Sequence, residues 1–261
     1  MEISYEKKYV AFIDVLGFSN LVKEGNKQKL QMYFDIVELA FSSFEGKSYN
    51  IEKLMISDSI ILTTPDNEAD FKLLLRAILL LQYNLATRDI WVRGGIAFGD
   101  VYFDGKIAVG PGYIRAYNLE SEAVYPRVII DPVIVSKFGL TRKGFYEKFN
   151  EEWLNDGKAK LLHNYDVPSS PYRITPDDTI MVCYANLLIL NARGNIPRNN
   201  INKIYEHIKK NLYGPQEYFH KYLWLRNYFF EVLVEMQNKF GETDPPYADW
   251  VHKKMDQFRA L

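Results

Sequence analysis

Two aspartates and the residues around them carry the chemistry that can be read from this chain. Asp14 ends the apolar run Tyr9-Val10-Ala11-Phe12-Ile13-Asp14-Val15-Leu16-Gly17-Phe18-Ser19, and Asp58 sits in Met55-Ile56-Ser57-Asp58-Ser59-Ile60-Ile61. An acid at the end of a covered strand is costly unless it is paired, hydrogen-bonded or bound to a metal. Two carboxylates brought together repel unless they are protonated or bridged by cations. Mg²⁺ and Mn²⁺ are hard ions that take oxygen ligands and would bridge them. Two such ions about 4 Å apart can activate a hydroxyl and hold a leaving phosphate. The plainer alternative makes Asp58 a turn residue and Asp14 a helix cap. Spacing alone leaves both readings open.

The turn Gly17-Phe18-Ser19 follows the first acid. Backbone N–H groups at a helix start favour anions, so a polyphosphate could lie there. Arg93 precedes Gly94-Gly95 and suits a strand-edge ion pair, a phosphate contact or the support of an acid. Arg115 and Asn118 are three apart on an expected helix and share a face. A guanidinium and an amide there would stabilise charge on a pentavalent phosphorus; a solvated helix face explains the same spacing. Asp100 and Asp104 read as turn residues. Other chemistries are absent. There is no Gly-x-x-x-x-Gly-Lys-Ser/Thr. His163, His207, His220 and His252 show no metal-ligand spacing. Cys183 lacks a nucleophile's context, and neither Gly94-Gly95 nor Gly110-Pro111-Gly112 makes a dinucleotide fingerprint.

These residues need elements to position them. The run from Tyr9 alternates Val10 and Phe12 with Ala11 and Ile13, so it reads as a strand buried on both faces. Leu30, Tyr33, Phe34, Val37, Phe41 and Phe44 recur at helical spacing, and Glu45-Gly46-Lys47 ends that helix. Tyr49 to Ile56 and Ser59 to Thr64 read as a hairpin turning near Ser57-Asp58. Pro65-Asp66 breaks the second strand, and Asp66 can cap the next helix, marked by Phe71, Leu74, Leu75, Ile78, Gln82 and Leu85. Ile90 to Phe98 is a strand, Asp104-Gly105 a hairpin turn before Lys106 to Val109, Tyr113 to Ala123 a short helix, and Arg127 to Ile130 a strand closed by Asp131-Pro132. Helices interleaved with mostly antiparallel strands predict an α+β fold with a ferredoxin-like sheet. Residues 141–179 are polar and read as long loops with short strands. Thr179 to Ala185 reads as a strand returning to the sheet. A helix with Ile201, Ile204, Ile208 and Leu212 follows. A long one with Tyr218, Tyr222, Leu225, Phe229, Val232 and Met236 comes next, is stopped by Pro245-Pro246, and precedes a final short helix.

At 261 residues with a net charge of −1, the composition is that of an ordinary globular protein. No global field argues for nucleic acid or an anionic membrane. No apolar run approaches the length that spans a bilayer. The single cysteine forms no intrachain disulfide, and the charged first residues lack a secretory segment. The expectation is a cytoplasmic protein with no nucleic-acid or membrane partner.

Four stretches together resemble the class III nucleotidyl cyclases: Phe12-Ile13-Asp14-Val15-Leu16-Gly17-Phe18-Ser19, Ser57-Asp58-Ser59, Val92-Arg93-Gly94-Gly95-Ile96-Ala97-Phe98-Gly99, and the Gly-rich turn leading to Ala116-Tyr117-Asn118-Leu119-Glu120. The resemblance covers roughly residues 8–131. It is greatest to the pyrimidine (uridylate and cytidylate) cyclases of the Pycsar antiphage systems, whose cyclic UMP or cyclic CMP alerts a separate effector. It implies a class III cyclase core over residues 1–190 and a helical extension over 191–261. It implies two Mg²⁺ or Mn²⁺ ions per site bound through Asp14, Val15 and Asp58, and a triphosphate held by the turn Leu16-Gly17-Phe18-Ser19. The ribose 3′-hydroxyl of the nucleoside triphosphate then attacks the α-phosphorus, Arg93, Arg115 and Asn118 assist, and pyrophosphate leaves. Such enzymes work as homodimers with composite sites. The positions that hold the transition-state Asn and Arg in purine cyclases are Ile114 and Asn118 here. The position of the adenine-reading lysine is Leu54, so a purine reader is absent there, and Tyr49 is the candidate contact to a smaller base. Cyclic UMP is preferred over cyclic CMP; a purine cyclase, or a cyclase-like domain that binds nucleotide without turnover, are the alternatives.

Overall fold

The computed structural model describes residues 3–23, 25, 27–42, 50–156, 158–164, 179–193 and 198–261. The first strand, β1 (Glu6–Val15), carries no charge from Tyr9 to Ile13. Val10 and Phe12 join one apolar cluster, and Tyr9, Ala11 and Ile13 join another. This is the two-sided burial its composition predicts. Gly17, at φ 77°, turns the chain into α1 (Phe18–Lys23), and α2 (Lys27–Ser42) follows. The hairpin of β2 (Glu52–Ile56) and β3 (Ser59–Pro65) turns at Ser57-Asp58, and α3 (Glu68–Ala86) leads to β4 (Val92–Phe103). β1 pairs antiparallel with β3 on one side and β4 on the other, with β2 outside β3. The resulting order, β2-β3-β1-β4 with a helical crossover in each half, is the ferredoxin-like arrangement expected from the sequence.

The sheet then extends. β5 (Ala108–Val109) pairs with the far end of β4, and α4 (Pro111–Ala123) crosses the Val10 and Phe12 face. Gly95 lies under Leu119, where a Cβ would overlap the Leu119 side chain, so the close approach of helix and strand requires glycine. β6 (Val128–Ile130) runs parallel to β4, and α5 (Pro132–Lys137) follows it. Beyond β6 lie β8 (Ile180–Val182), the expected returning strand, and β7 (Leu162–Asn164). α8 (Tyr184–Asn191), α9 (Asn199–Leu212), α10 (Gln216–Phe240) and α11 (Pro245–Arg259) complete the chain. Ile201, Ile204, Ile208 and Leu212 of α9 are buried, as are Leu225, Phe229, Val232 and Met236 of α10, in the cluster that contains Val10 and Phe12. Among the described residues no helix is long and apolar enough to cross a membrane.

Several local expectations are corrected. Residues 141–179, expected as loops with short strands, contain α6 (Arg142–Phe149) and α7 (Glu151–Asp156) before β7. Their apolar signal is sparse, Phe145, Tyr146 and Phe149 in one and Trp153 and Leu154 in the other, and Phe145 and Phe149 bury against Phe138 at 5.6 and 5.3 Å between ring centres. Asn67, not Asp66, caps α3 by accepting the Asp70 N–H at 2.8 Å, while Asp66 pairs with Lys137. Asp131-Pro132 closes β6 as expected but also starts α5, with Asp131 accepting the Val133 N–H. Pro245-Pro246 do not stop α10, which ends at Phe240. They open α11, where a missing N–H costs nothing, and that helix is 15 residues rather than short. Phe34, expected on the buried face of α2, is exposed, and Ile36 is buried instead. The expected helix end at Glu45-Gly46-Lys47, Phe44 and Tyr49 lie outside the described residues.

Candidate active site

The pairing register sets the site. Asp14 lies opposite Ser59 on β3 and opposite Arg93 on β4, so the three side chains share one face at the end of the sheet. Asp58, in the β2–β3 turn, adjoins Ser59 and brings the second carboxylate to the first. The Ser59 hydroxyl donates to Asp14 Oδ1 at 3.5 Å. Burial first, then the charges of Asp58 and Glu120, push the Asp14 carboxyl up to about 6; Arg93 and the Ser59 hydroxyl pull it the other way without cancelling them.

Arg93 is ion-paired with Glu120 of α4, whose side chain is almost fully buried. The pair follows from the glycine contact: with Leu119 pressed on Gly95, the next residue of the helix reaches the side chain two places back along β4. Ser121 donates its hydroxyl to Glu120 at 3.1 Å. Sequence reasoning gave Glu120 no role of its own, although an acid beside a residue packed on Gly-Gly is a readable signal. Tyr33 was also missed, being read as an ordinary core position of α2. It is wholly buried, and its hydroxyl has no hydrogen-bond partner among the described residues. Burial, then the charges of Asp58 and Asp14, push that hydroxyl up.

The turn after Asp14 is anchored from below. Val15 is buried and paired with Val92, and the Leu16 N–H donates to the Trp91 carbonyl at 2.8 Å. Phe18 is buried with its ring 5.7 Å from Tyr33. Gly17 and Ser19 are exposed, and the space over Gly17 is open, so its backbone is within reach of a ligand.

Other candidates are placed elsewhere. Arg115 donates from Nε to Asp131 at 2.6 Å and pairs with Glu122 at 2.5 Å, which ties it to the start of α5 rather than to Asp14. Asn118 is exposed on α4. Leu54 lies in the row Leu54-Ile61-Phe12-Gly95, two rows behind Ser59-Asp14-Arg93 and on the same face. Asp100 pairs with Lys7, and Asp104 accepts the N–H groups of Lys106 and Ile107, as turn residues do.

Three carboxylates, Asp14, Asp58 and Glu120, share this end of the sheet with one guanidinium, and Asp14 shows the resulting excess of negative charge. That excess and the partnerless Tyr33 hydroxyl fit a site for divalent cations. Among the described residues no three acid, histidine or cysteine side chains form a complete ligand cage. Asp14 and Asp58 would hold a cation together with groups from its substrate.

No family model matches the sequence, and no curated protein matches it. Solved structures with likeness to it include the guanylyl cyclase Cya2, at 13% identity over 70% of this chain and 93% of that one, with a TM-score of 0.44. The catalytic core of a rhodopsin-guanylyl cyclase with converted specificity, solved with ATPαS, has 16% identity over 69% and 98%, with a TM-score of 0.44. The adenylyl cyclase CyaB from P. aeruginosa has 17% identity over 52% and 82%, with a TM-score of 0.38.

Proposed function

We propose that the chain is a metal-dependent nucleotide cyclase. It converts UTP, or CTP, to the 3′,5′-cyclic pyrimidine monophosphate and pyrophosphate, and the product signals to a separate effector in antiphage defence. The observation that carries this reading is the meeting of Asp14 and Asp58 beside an open glycine turn, with the Asp14 carboxyl pushed up to about 6. Excess negative charge next to accessible backbone N–H groups suits a polyphosphate that arrives with its own divalent cations. Mg²⁺ or Mn²⁺, two per site, would supply charge neutralisation at the α-phosphate and leaving group.

Within that reading the chain mainly positions. Asp14 and Asp58, with Val15 beside them, hold the cations, and the turn Leu16-Gly17-Phe18-Ser19 receives the phosphates. The ribose 3′-oxygen bonds to the α-phosphorus as its proton leaves, and the bond to pyrophosphate breaks in line. Arg93 orients Glu120 and limits the negative charge beside Asp14. Arg115, held by Asp131 of its own chain, and the exposed Asn118 serve the second copy in a homodimer with composite sites. Leu54 offers no cation to a purine, and this supports a pyrimidine. Residues 1–190 form the catalytic unit and 191–261 its helical extension.

The test is incubation with ATP, GTP, CTP or UTP and Mn²⁺, with products resolved by mass, beside Asp58→Asn. A single cyclic pyrimidine product, lost in the variant, is expected. A cyclic purine product overturns the base assignment. No product from any nucleotide overturns the reaction. One observation favours a second reading, a domain that binds nucleotide without turnover: Arg93 and Arg115 are both engaged by acids of the same chain.

A further inference from the structure

Against the Leu16–Phe18 turn lies a cleft of about 310 Å³. None of Asp14, Asp58, Arg93 and Glu120 lines it; what it shares with the candidate active site is Val15 and the turn that follows. Its aromatic wall is Trp91 at the foot of β4 with Tyr218 and Tyr222 of α10. Two ammonium groups, Lys29 of α2 and Lys221 of α10, border it with one carboxylate, Asp89. Asp89 does not neutralise Lys221. Its Oδ1 accepts the Trp91 indole N–H at 2.8 Å, and its Oδ2 meets His207 Nδ1 at 3.0 Å. Lys221 has no ion-pair partner among the described residues. The Asn211 amide also faces the cleft; its Nδ2 is committed to the His207 carbonyl at 2.8 Å, which leaves its Oδ1 to accept.

We propose that this cleft is a second ligand site, for an aromatic anion the size of a nucleoside monophosphate. Flat aromatic walls favour a planar body, an uncommitted ammonium favours a negative group, and an amide oxygen suits an N–H on the ring. The volume lies at the lower end of the range for small-molecule pockets, roughly 300–1,000 Å³, which suits a monophosphate better than a triphosphate with its cations. A ligand seated here touches the turn that follows Asp14, and the Leu16 N–H to Trp91 carbonyl bond ties that turn to the aromatic wall. Binding itself does not rest on the cyclase reading. If that reading holds, the reaction product is a ligand of this class.

The experiment is a titration of the full chain followed by tryptophan fluorescence, in EDTA so that no divalent cation recruits ligand to the acids. The probes are UMP, CMP, AMP and 3′,5′-cyclic UMP, with uridine and inorganic phosphate as controls. Saturable quenching by at least one monophosphate is expected, with uridine binding about tenfold or more weaker because it lacks the charge that Lys221 meets. Lys221→Glu is expected to weaken binding by about tenfold or more, whereas Asp58→Asn leaves it unchanged. Lys221→Gln, an uncharged variant at a half-buried position of α10, guards against misfolding and is expected to weaken binding to a smaller extent. No saturable quenching at millimolar concentration overturns the proposal. So does binding that survives both Lys221 variants, or binding lost in Asp58→Asn, which would put the ligand at the acids.

Discussion

Arg93 lies directly across the β1–β4 ladder from Asp14 and gives its guanidinium to Glu120. The cation that could neutralise Asp14 is thus shared with an acid that adds to its burden. Glu120→Gln removes that acid and loosens its hold on Arg93. The Asp14 carboxyl, now pushed up to about 6, is expected to fall by about 1 or more, since an opposite charge at close range lowers a carboxyl by about 1–3. Carboxyl-carbon NMR titration of the metal-free protein measures it. An unchanged midpoint would show that burial and the Asp58 charge set the value without Glu120.

The Tyr33 hydroxyl is buried beneath Phe18 without a partner. Leaving such a group unsatisfied costs about 1–3 kcal/mol, so Tyr33→Phe is expected to stabilise the metal-free protein by about 1 kcal/mol. Urea denaturation in EDTA reads this. In the presence of Mn²⁺ the order is expected to reverse, because the hydroxyl gains a partner once a hydrated cation sits beside Asp14 and Asp58. A variant less stable than the wild type without metal would mean that the hydroxyl is already satisfied.

Gly95 and Gly17 are required for different reasons, and substitution separates them. Gly95→Ala drives a methyl into Leu119, an overpacking expected to cost about 1–3 kcal/mol. Leu119→Ala in the same chain opens the space, so the double variant should lose less than the sum of the two singles. Gly17→Ala meets open space and costs only its left-handed backbone, about 1–2 kcal/mol, with no rescue by any neighbour. Equilibrium unfolding of the four variants decides; additivity at Gly95 and Leu119 would contradict the packing.

What the sequence made legible was what local pattern controls. The alternation from Tyr9 to Ile13, the Gly17 turn and the Ser57-Asp58 hairpin each depend on a few neighbouring residues, and the register that brings Asp14 to Ser59 follows from them. Tyr33 was invisible because its role arises only when α2 packs under the turn, and Glu120 gave only a partial sign, since its pairing with Arg93 arises only when α4 crosses β4. Asp66 and Asn67 are adjacent and equally able to cap, and only the entry angle of α3 chooses between them. Arg115 shares a helix face with Asn118, but the acid that claims it, Asp131, comes from across the chain. α6 and α7 were missed because a few aromatics scattered in a charged segment leave little periodicity to read.

A cluster of buried titratable groups joins α10 to β7 and the residues just before it. Lys160, fully buried, is ion-paired with Glu235 and lies 3.2 Å from His163 Nδ1, while His163 Nε2 meets Glu231 at 3.3 Å and the Tyr228 ring packs edge-on. Burial, then the Lys160 charge, hold the His163 imidazole down to about 3 against the opposing pull of Glu235. An unfolded histidine titrates near 6.5. Above that both states are neutral and this contribution is intact; as pH falls from about 6.5 towards 3 the unfolded chain takes a proton that the native site refuses, and stability is lost. His163→Gln removes that slope. The urea midpoint of the wild type is therefore expected to decline more steeply than that of the variant between pH 6.5 and 4, whatever the variant costs at neutral pH. Parallel curves would mean that Glu231 and Glu235 accommodate the charged imidazole. Lys160→Met tests the same cluster from its other side. It strands Glu235 without its partner and is expected to cost about 3–5 kcal/mol, far more than loss of a surface pair. A loss near zero would mean that α10 is not held to the sheet by this ion pair.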